Sequence, residues 1–309
     1  MNAHKIYEVP YAAPTLEGLL SVGAFCTRGE KMQELYDSHV HSHWSPDSKQ
    51  TFSEIYDAAL KKGLQGLTIT DHADLSVIEE ENTFESIAGS IQEVQTFHDR
   101  YKDAGVQVFC GVELSEYFDN VYHAKKILEM TEYDAVIASV HWLRYREWDS
   151  FYSRVAFDGA FSEELLHGYL AAYFEQLLCV AEDADYDILA HLTCPLRYIN
   201  GKYKRGITLD VHRAVIDEIL RCVIRRGKAL EINTSGIGGM YESLMPDLPI
   251  IQRYYDLGGR QITLGSDAHT PERVGNAFAE AIALLSKIGF SEYVHYEKRQ
   301  PKSTLLMCM

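Results

Sequence analysis

Long hydrophobic runs are missing from this chain: nothing in it approaches the roughly 18 consecutive apolar residues that cross a bilayer. A secretory signal is missing too. MNAHKIYEVPYAAPTLEGLL has no basic cluster followed by an unbroken apolar run, so the expected compartment is the cytoplasm. Positive charge is scarce, with 29 basic residues against 45 acidic and a formal charge of −16. Such a surface repels phosphate backbones and counts against a nucleic-acid partner. It does not exclude a small phosphorylated substrate, because bound metal reverses the field locally. Cysteine is sparse: Cys26, Cys110, Cys179, Cys194, Cys222 and Cys308 form no CxxC pair. Most lie in apolar runs such as VQVFCGVEL and QLLCVA, which reads as buried reduced thiols rather than disulfides or zinc ligands. Repeats and low-complexity tracts are absent.

What is present is a rhythm. From residue 35 onward short apolar runs alternate with longer helical patterns. The strand candidates are 35–39, 66–70, 106–114, 134–141, 187–191, 228–233 and 261–267. They are rich in Val, Ile and Leu with little strict alternation, as parallel strands buried on both faces require. Amphipathic segments at 52–62, 84–103, 121–130, 162–182, 208–226, 247–257 and 271–288 separate them, with start signals at Thr51 and Thr270-Pro271. Seven strand–helix units in 309 residues predict a single-domain α/β barrel rather than an open sheet. Residues 1–34 read as an N-terminal extension, with Met32 an alternative start, and 35–290 as the barrel. Residues 291–309 read as a C-terminal tail. The aromatic stretch 142–161 follows a strand end, the place for a substrate lid or a packed surface excursion.

The unusual residues fall at those strand ends. His39-Val40-His41 closes the first strand, Asp71-His72 follows the second and Glu113 lies near the end of the third. His141 ends the fourth, His191 the fifth, and Asp267-Ala268-His269 follows the last. In a parallel barrel all these ends share one face, where catalytic residues gather. An H-x-H pair on a strand puts both imidazoles on one side, within reach of one ion. Imidazole mixed with carboxylate suits zinc, iron or manganese, and bridging carboxylates can hold ions about 3.5–4 Å apart around a phosphoryl group. One histidine at a strand end is usually structural. A ligand type at nearly every strand end is not explained by packing, since such groups are costly to bury unpartnered.

The motifs DSHVHSHWSPDS, ITDH, CGVE, SVHWL, the AH at 190–191 and GSDAH resemble the PHP (polymerase and histidinol phosphatase) superfamily. Spacing and the EINTSG at 231–236 are most similar to its histidinol-phosphatase branch. The resemblance implies a distorted (β/α)7 TIM-like barrel and a trinuclear cluster of divalent zinc, manganese or iron. His39, His41, Glu113 and Asp267 would hold the first metal, and Glu113 would bridge to a second held by His141 and His191. His72, His269 and Asp47 would hold the third; some relatives have histidine at the last place. The implied activity is hydrolysis of L-histidinol phosphate in histidine biosynthesis. A hydroxide bridging two metals would attack phosphorus in line, without a covalent phosphoenzyme.

Beside the cluster, Arg197 is the expected phosphate anchor and Arg144 a second candidate. Asp71 is expected either to orient a ligand or to protonate the leaving alkoxide. Asn233 and Ser235 are expected substrate contacts or turn formers. The competing activity is a related phosphoesterase acting on nucleotides or other small phosphate esters. A non-catalytic domain, or a barrel hydrolysing C–N bonds, fits the full ligand set less well. The sequence does not set the oligomeric state.

Overall fold

The structure is a computed structural model and describes residues 33–77, 82–101 and 105–307. Most of the expected extension 1–34, with Met32 and Cys26, lies outside the described residues, as does Cys308. The elements run β1 (Tyr36–Val40), α1 (Phe52–Lys61), β2 (Gly66–Ile69), β3 (His72–Asp74), α2 (Thr83–Tyr101), β4 (Gln107–Ser115) and α3 (Val121–Leu128). Then come β5 (Ala135–Ser139), β6 (Trp142–Tyr145), β7 (Trp148–Phe151), α4 (Glu163–Asp183), β8 (Ile188–Leu189), α5 (Arg213–Arg225) and β9 (Ala229–Asn233). The chain finishes with α6 (Leu248–Asp256), β10 (Ile262–Gly265), α7 (Phe278–Ile288), β11 (Glu292–Glu297) and β12 (Gln300–Leu305).

Seven strands form one sheet in the order β1-β2-β4-β5-β8-β9-β10, each pair parallel. The ends of the first and last strands meet. His41 N–H donates to Ala268 O at 3.0 Å and Asp267 N–H to His39 O at 2.8 Å, nearly closing the sheet into the expected barrel. Local chemistry agrees with this path. Thr51 and Glu54 form a reciprocal capping box at the start of α1. The α4 helix buries Leu166, Tyr169, Leu170, Tyr173, Phe174 and Leu177, each large side chain contributing roughly 1.5–3 kcal/mol.

Three expected boundaries differ. The second strand resumes after Asp71 as β3, which pairs His72 with Glu113, so His72 stands on a strand instead of following one. The last helix begins at Phe278 instead of Pro271. Before it the chain makes a 3-10 turn at Pro271–Arg273 and left-handed steps at Gly275 (φ 59°) and Ala277 (φ 55°). There Gly275 N–H donates to Asp37 and Arg273 donates to the carbonyls of Ser235 and Ile237, so the segment ties loops together instead of extending the helix. Finally, residues 292–305, within the expected C-terminal tail, form an antiparallel hairpin. Val294 and Tyr296 pack on Ala135, Ile137, Ile188 and Ala229 at the strand starts, covering the end of the barrel opposite the ligand residues.

The thiols are mixed: Cys194 and Cys222 are buried, Cys110 is half-buried, and Cys179 is exposed, contrary to the buried reading for it. None of these four is in a disulfide. Among the described residues no helix is long and apolar enough to cross a membrane.

Candidate metal centre

The parallel ladder brings the nine expected ligands to one mouth. His39 Nε2 and His41 Nε2 lie 3.0 Å apart, as the alternation of β1 dictates. Glu113 Oε2 is 3.3 Å from the first and 3.5 Å from the second, while Asp267 Oδ1 is 3.9 and 3.5 Å from them. Ligands at zinc distances in a tetrahedron sit about 3.3–3.4 Å apart, so these four atoms already surround a point suited to one ion. The other oxygen of Glu113 faces His191 Nε2 at 2.9 Å and His141 Nε2 at 3.3 Å, and those two nitrogens are 3.4 Å apart. One carboxylate thus joins two ligand groups.

The third group is arranged more tightly than expected. His72 Nε2 is 3.6 Å and His269 Nε2 3.3 Å from Asp47. The His41 ring packs against both the His72 and His269 rings, with centroids 4.2 and 4.3 Å away, and those two are 5.8 Å from each other. His72 also presents Nδ1 to Glu113 Oε2 at 3.0 Å. Neither of those two buried atoms makes a hydrogen bond. Paired protein groups would normally be aligned to bond; both instead aim at a shared space, as ligands to a cation do.

Partners behind the ligands fix their tautomers. His39 Nδ1 donates to Glu231 Oε1 at 2.6 Å, leaving the Nε2 lone pair toward the centre. His141 Nδ1 meets Asp74 Oδ1 at 3.0 Å and Ser115 Oγ at 2.9 Å. His41 Nδ1 meets Ser45 Oγ at 3.1 Å, and that hydroxyl donates to Asp71 at 2.7 Å.

Electrostatics follow from the crowding. Burial alone would depress the His39 imidazole, but the Glu231 and Glu113 carboxylates outweigh it and hold it well above its usual value. His41 goes the other way: burial, His72 and His269 push it down to about 3, a neutral imidazole. Burial would raise Glu113 and Asp267. The imidazoles around Glu113, and His41, His39 and Arg197 around Asp267, hold both carboxyls well below the carboxylate range.

The residues outside the ligand set separate. Arg197 lines the cleft and donates to Ser235 Oγ and, at 3.0 Å, to Asp267 Oδ2, while its buried Nε has no partner. Burial opposes its charge, yet Cys194 and Asp267 raise its pKa further, so it stays a cation. Asn233 Nδ2 and Ser235 Oγ both reach Asp267 Oδ2, at 3.4 and 3.2 Å. Their contact is with that carboxylate, which sits on left-handed backbone (φ 51°) and needs the support.

One expectation narrows and another gives way. Asp71 accepts four hydrogen bonds, from Ser42 N, Ser42 Oγ, Ser45 Oγ and Ser90 Oγ, and is 1% exposed. A saturated, buried carboxylate behind His41 orients that loop and is not placed to protonate a leaving group. Arg144 points to Asp119 at 2.7 Å and Asp149 at 3.2 Å on the outside of the β6–β7 hairpin, away from the cleft.

Glu231, Asp74 and Glu116 were not singled out from the sequence. The Glu231 signal was legible: one carboxylate inside the apolar run KALEIN. Glu116 accepts the backbone N–H groups of His141 and Trp142, and burial with nearby Asp74 raises its pKa to about 8.

A parallel barrel with clustered imidazoles and carboxylates at its C-terminal mouth defines a multinuclear metalloprotein of the metal-dependent hydrolase type. The PHP domain model matches residues 37–235, and the chain belongs to that family. It is 31% identical over 273 residues to a probable histidinol-phosphatase of Clostridium acetobutylicum, covering 87% of this chain and 99% of that one. A probable histidinol-phosphatase of Thermotoga maritima is likewise 31% identical, over 84% of this chain and 94% of that one. Among solved structures, the histidinol phosphate phosphatase of Lactococcus lactis complexed with zinc, L-histidinol and phosphate superposes with a TM-score of 0.68 at 25% identity. That match covers 87% of this chain and 99% of that chain.

Proposed function

We propose that this protein is a metal-dependent phosphomonoesterase that hydrolyses L-histidinol phosphate to L-histidinol and phosphate, a step of histidine biosynthesis. The observation that carries the reading is Glu113, one carboxylate shared by two ligand groups, with the third group beside it and the Arg197 cation on the same cleft wall. The substrate follows from full-length likeness to histidinol-phosphatases.

His39, His41, Glu113 and Asp267, then Glu113, His141 and His191, then His72, His269 and Asp47 are the groups that would hold the metals. Divalent metals bound there supply Lewis acidity and the ionisation of water near neutral pH. The chain's own part is positioning and charge. Arg197 presents a planar fork to phosphate oxygens. Asn233 and Ser235 keep Asp267 aimed, and Glu231 and Asp74 keep the imidazole protons on the side away from the centre.

The test is a substrate panel on metal-loaded protein: L-histidinol phosphate, nucleoside monophosphates and a phosphate bis-ester. The highest kcat/KM is expected for L-histidinol phosphate. A higher value for nucleotides or the bis-ester would replace this reading with the alternative, a related phosphoesterase of different substrate.

A further inference from the structure

We propose that Arg154 is a second contact for the substrate phosphate, set in the wall of the cleft by the 3-10 turn Tyr152–Arg154 that follows β7; this rests on the phosphoesterase reading above. The cleft encloses about 320 Å³. Ligand residues form one side of it, and Phe151, Tyr152, Ser153 and Arg154 form part of the other. Two arginines line this cleft, and they differ in what they already hold. Arg197 is engaged with Asp267 and Ser235. Arg154 has no ion pair and no hydrogen bond to a described residue. Its guanidinium lies over the Phe151 ring, 4.7 Å from the centroid, a contact that fixes its plane and leaves its N–H groups unspent.

That arrangement is informative in a chain of net charge −16, where carboxylate partners are plentiful. On the preceding β6–β7 hairpin Arg144 has taken two of them, Asp119 and Asp149. Arg146, at the turn, lies over Tyr145 and outside the cleft. Of these three, Arg154 alone lines the cleft that the metal groups also line, and it does so with no ion pair to a described residue.

Its mount is rigid. The Phe151 ring is edge-on to Trp142 at 5.0 Å. Tyr152 is buried, with ring neighbours Tyr173 and Tyr198 at 6.1 and 5.7 Å. The Tyr152 N–H donates to the carbonyl of His141 at 3.0 Å, so the start of the turn that carries Arg154 is bonded to a ligand residue. A phosphate seated at the metals would lie between the Arg197 and Arg154 forks, and guanidinium–phosphate bonds are strong because both partners are charged.

The experiment measures inorganic phosphate binding to metal-loaded protein by calorimetry, and steady-state kinetics with L-histidinol phosphate and p-nitrophenyl phosphate. Variants are Arg154→Ala, Arg154→Lys and, as a charge control from the neighbouring hairpin, Arg146→Ala. Arg154→Ala is expected to weaken phosphate binding and raise KM about tenfold, with kcat within about twofold and metal content unchanged. Arg154→Lys should recover part of the loss and Arg146→Ala should match wild type. Unchanged phosphate affinity in Arg154→Ala overturns the proposal, as does an equal loss in Arg146→Ala, which would reduce the effect to overall charge. If L-histidinol phosphate is not turned over while the phosphate affinities separate as stated, the substrate assignment falls and Arg154 stands.

Discussion

Glu231 and His39 meet 2.6 Å apart inside the barrel, carboxylate to Nδ1, with both side chains essentially unexposed. The other oxygen of Glu231 accepts the backbone N–H of His191 at 2.7 Å and a bond from Asn233 at 3.1 Å. One buried carboxylate therefore holds a residue from each of the first two ligand groups and touches the support of Asp267. Replacing it with an isosteric amide keeps the volume and removes the charge. Glu231→Gln is expected to lower metal affinity and kcat/KM by about 10–100-fold while the fold is retained. Competitive metal titration against a chromophoric chelator reads this directly, and wild-type affinity would mean that Glu231 only fills space.

That carboxylate fits because position 265 has no side chain. A Cβ built on Gly265 would stand 2.2 Å from Glu231 Oε1 and 2.9 Å from the His39 Cβ, both held by surrounding structure. Gly265→Ala should displace the pair, cost about 1–3 kcal/mol of stability and reduce bound metal. Metal analysis together with urea unfolding tests it. A stable variant with full metal content would show that the strand can shift without disturbing the site.

The ligand set was legible because strand periodicity is strict: His39 and His41 must share a face, and GSDAH must follow a strand end. What lay behind it was less so. Glu231 sits in a run that reads simply as strand, and one carboxylate among Leu, Ile and Ala was the sole sign of a buried partner. Where Arg144 points depends on which way a hairpin turns its faces, and the hairpin pairs Arg144 with Asp149 across it. The C-terminal hairpin was missed because β12 reads QPKSTL, polar and with a proline. Those are traits of an exposed edge strand, which carries little apolar signal. The two roles open to Asp71 could not be separated from sequence for a different reason. Its neighbour His72 faces the cleft, but adjacent strand residues point to opposite sides.

The same C-terminal hairpin is pinned by Arg299, which donates to Asp185 at 2.7 Å and to the nearly buried Asp187 at 2.8 Å. Asp187 also accepts the Val136 N–H at 2.9 Å and has Lys228 at 3.8 Å. Arg299→Ala leaves a mostly buried carboxylate short of its main cation. A loss of about 1–3 kcal/mol in urea unfolding is expected, after discounting for the partial exposure of the arginine. The kcat/KM of the folded, metal-loaded variant should not change, since the hairpin lies at the opposite end of the barrel. A fall in kcat/KM at full folding would instead couple that end to the site.

Asp247 offers a pH-dependent stability term remote from the ligands. It precedes α6 as its N-cap residue but makes no side-chain capping bond, and its buried Oδ1 has no partner. Burial raises its carboxyl to about 6. The unfolded chain titrates this group near 3.9, so the folded state holds the proton more tightly. Its stabilising contribution is therefore complete below about pH 4 and is lost as pH rises through about 6. At pH 7.5 the buried charge is a net cost of about 1–3 kcal/mol. Asp247→Asn carries no charge at any pH and can supply the missing cap. It should be more stable than wild type at pH 7.5, and the gap should narrow toward pH 4. Urea unfolding at both pH values measures the difference. A gap that is the same at both would assign the effect to capping alone and remove the buried charge from the account.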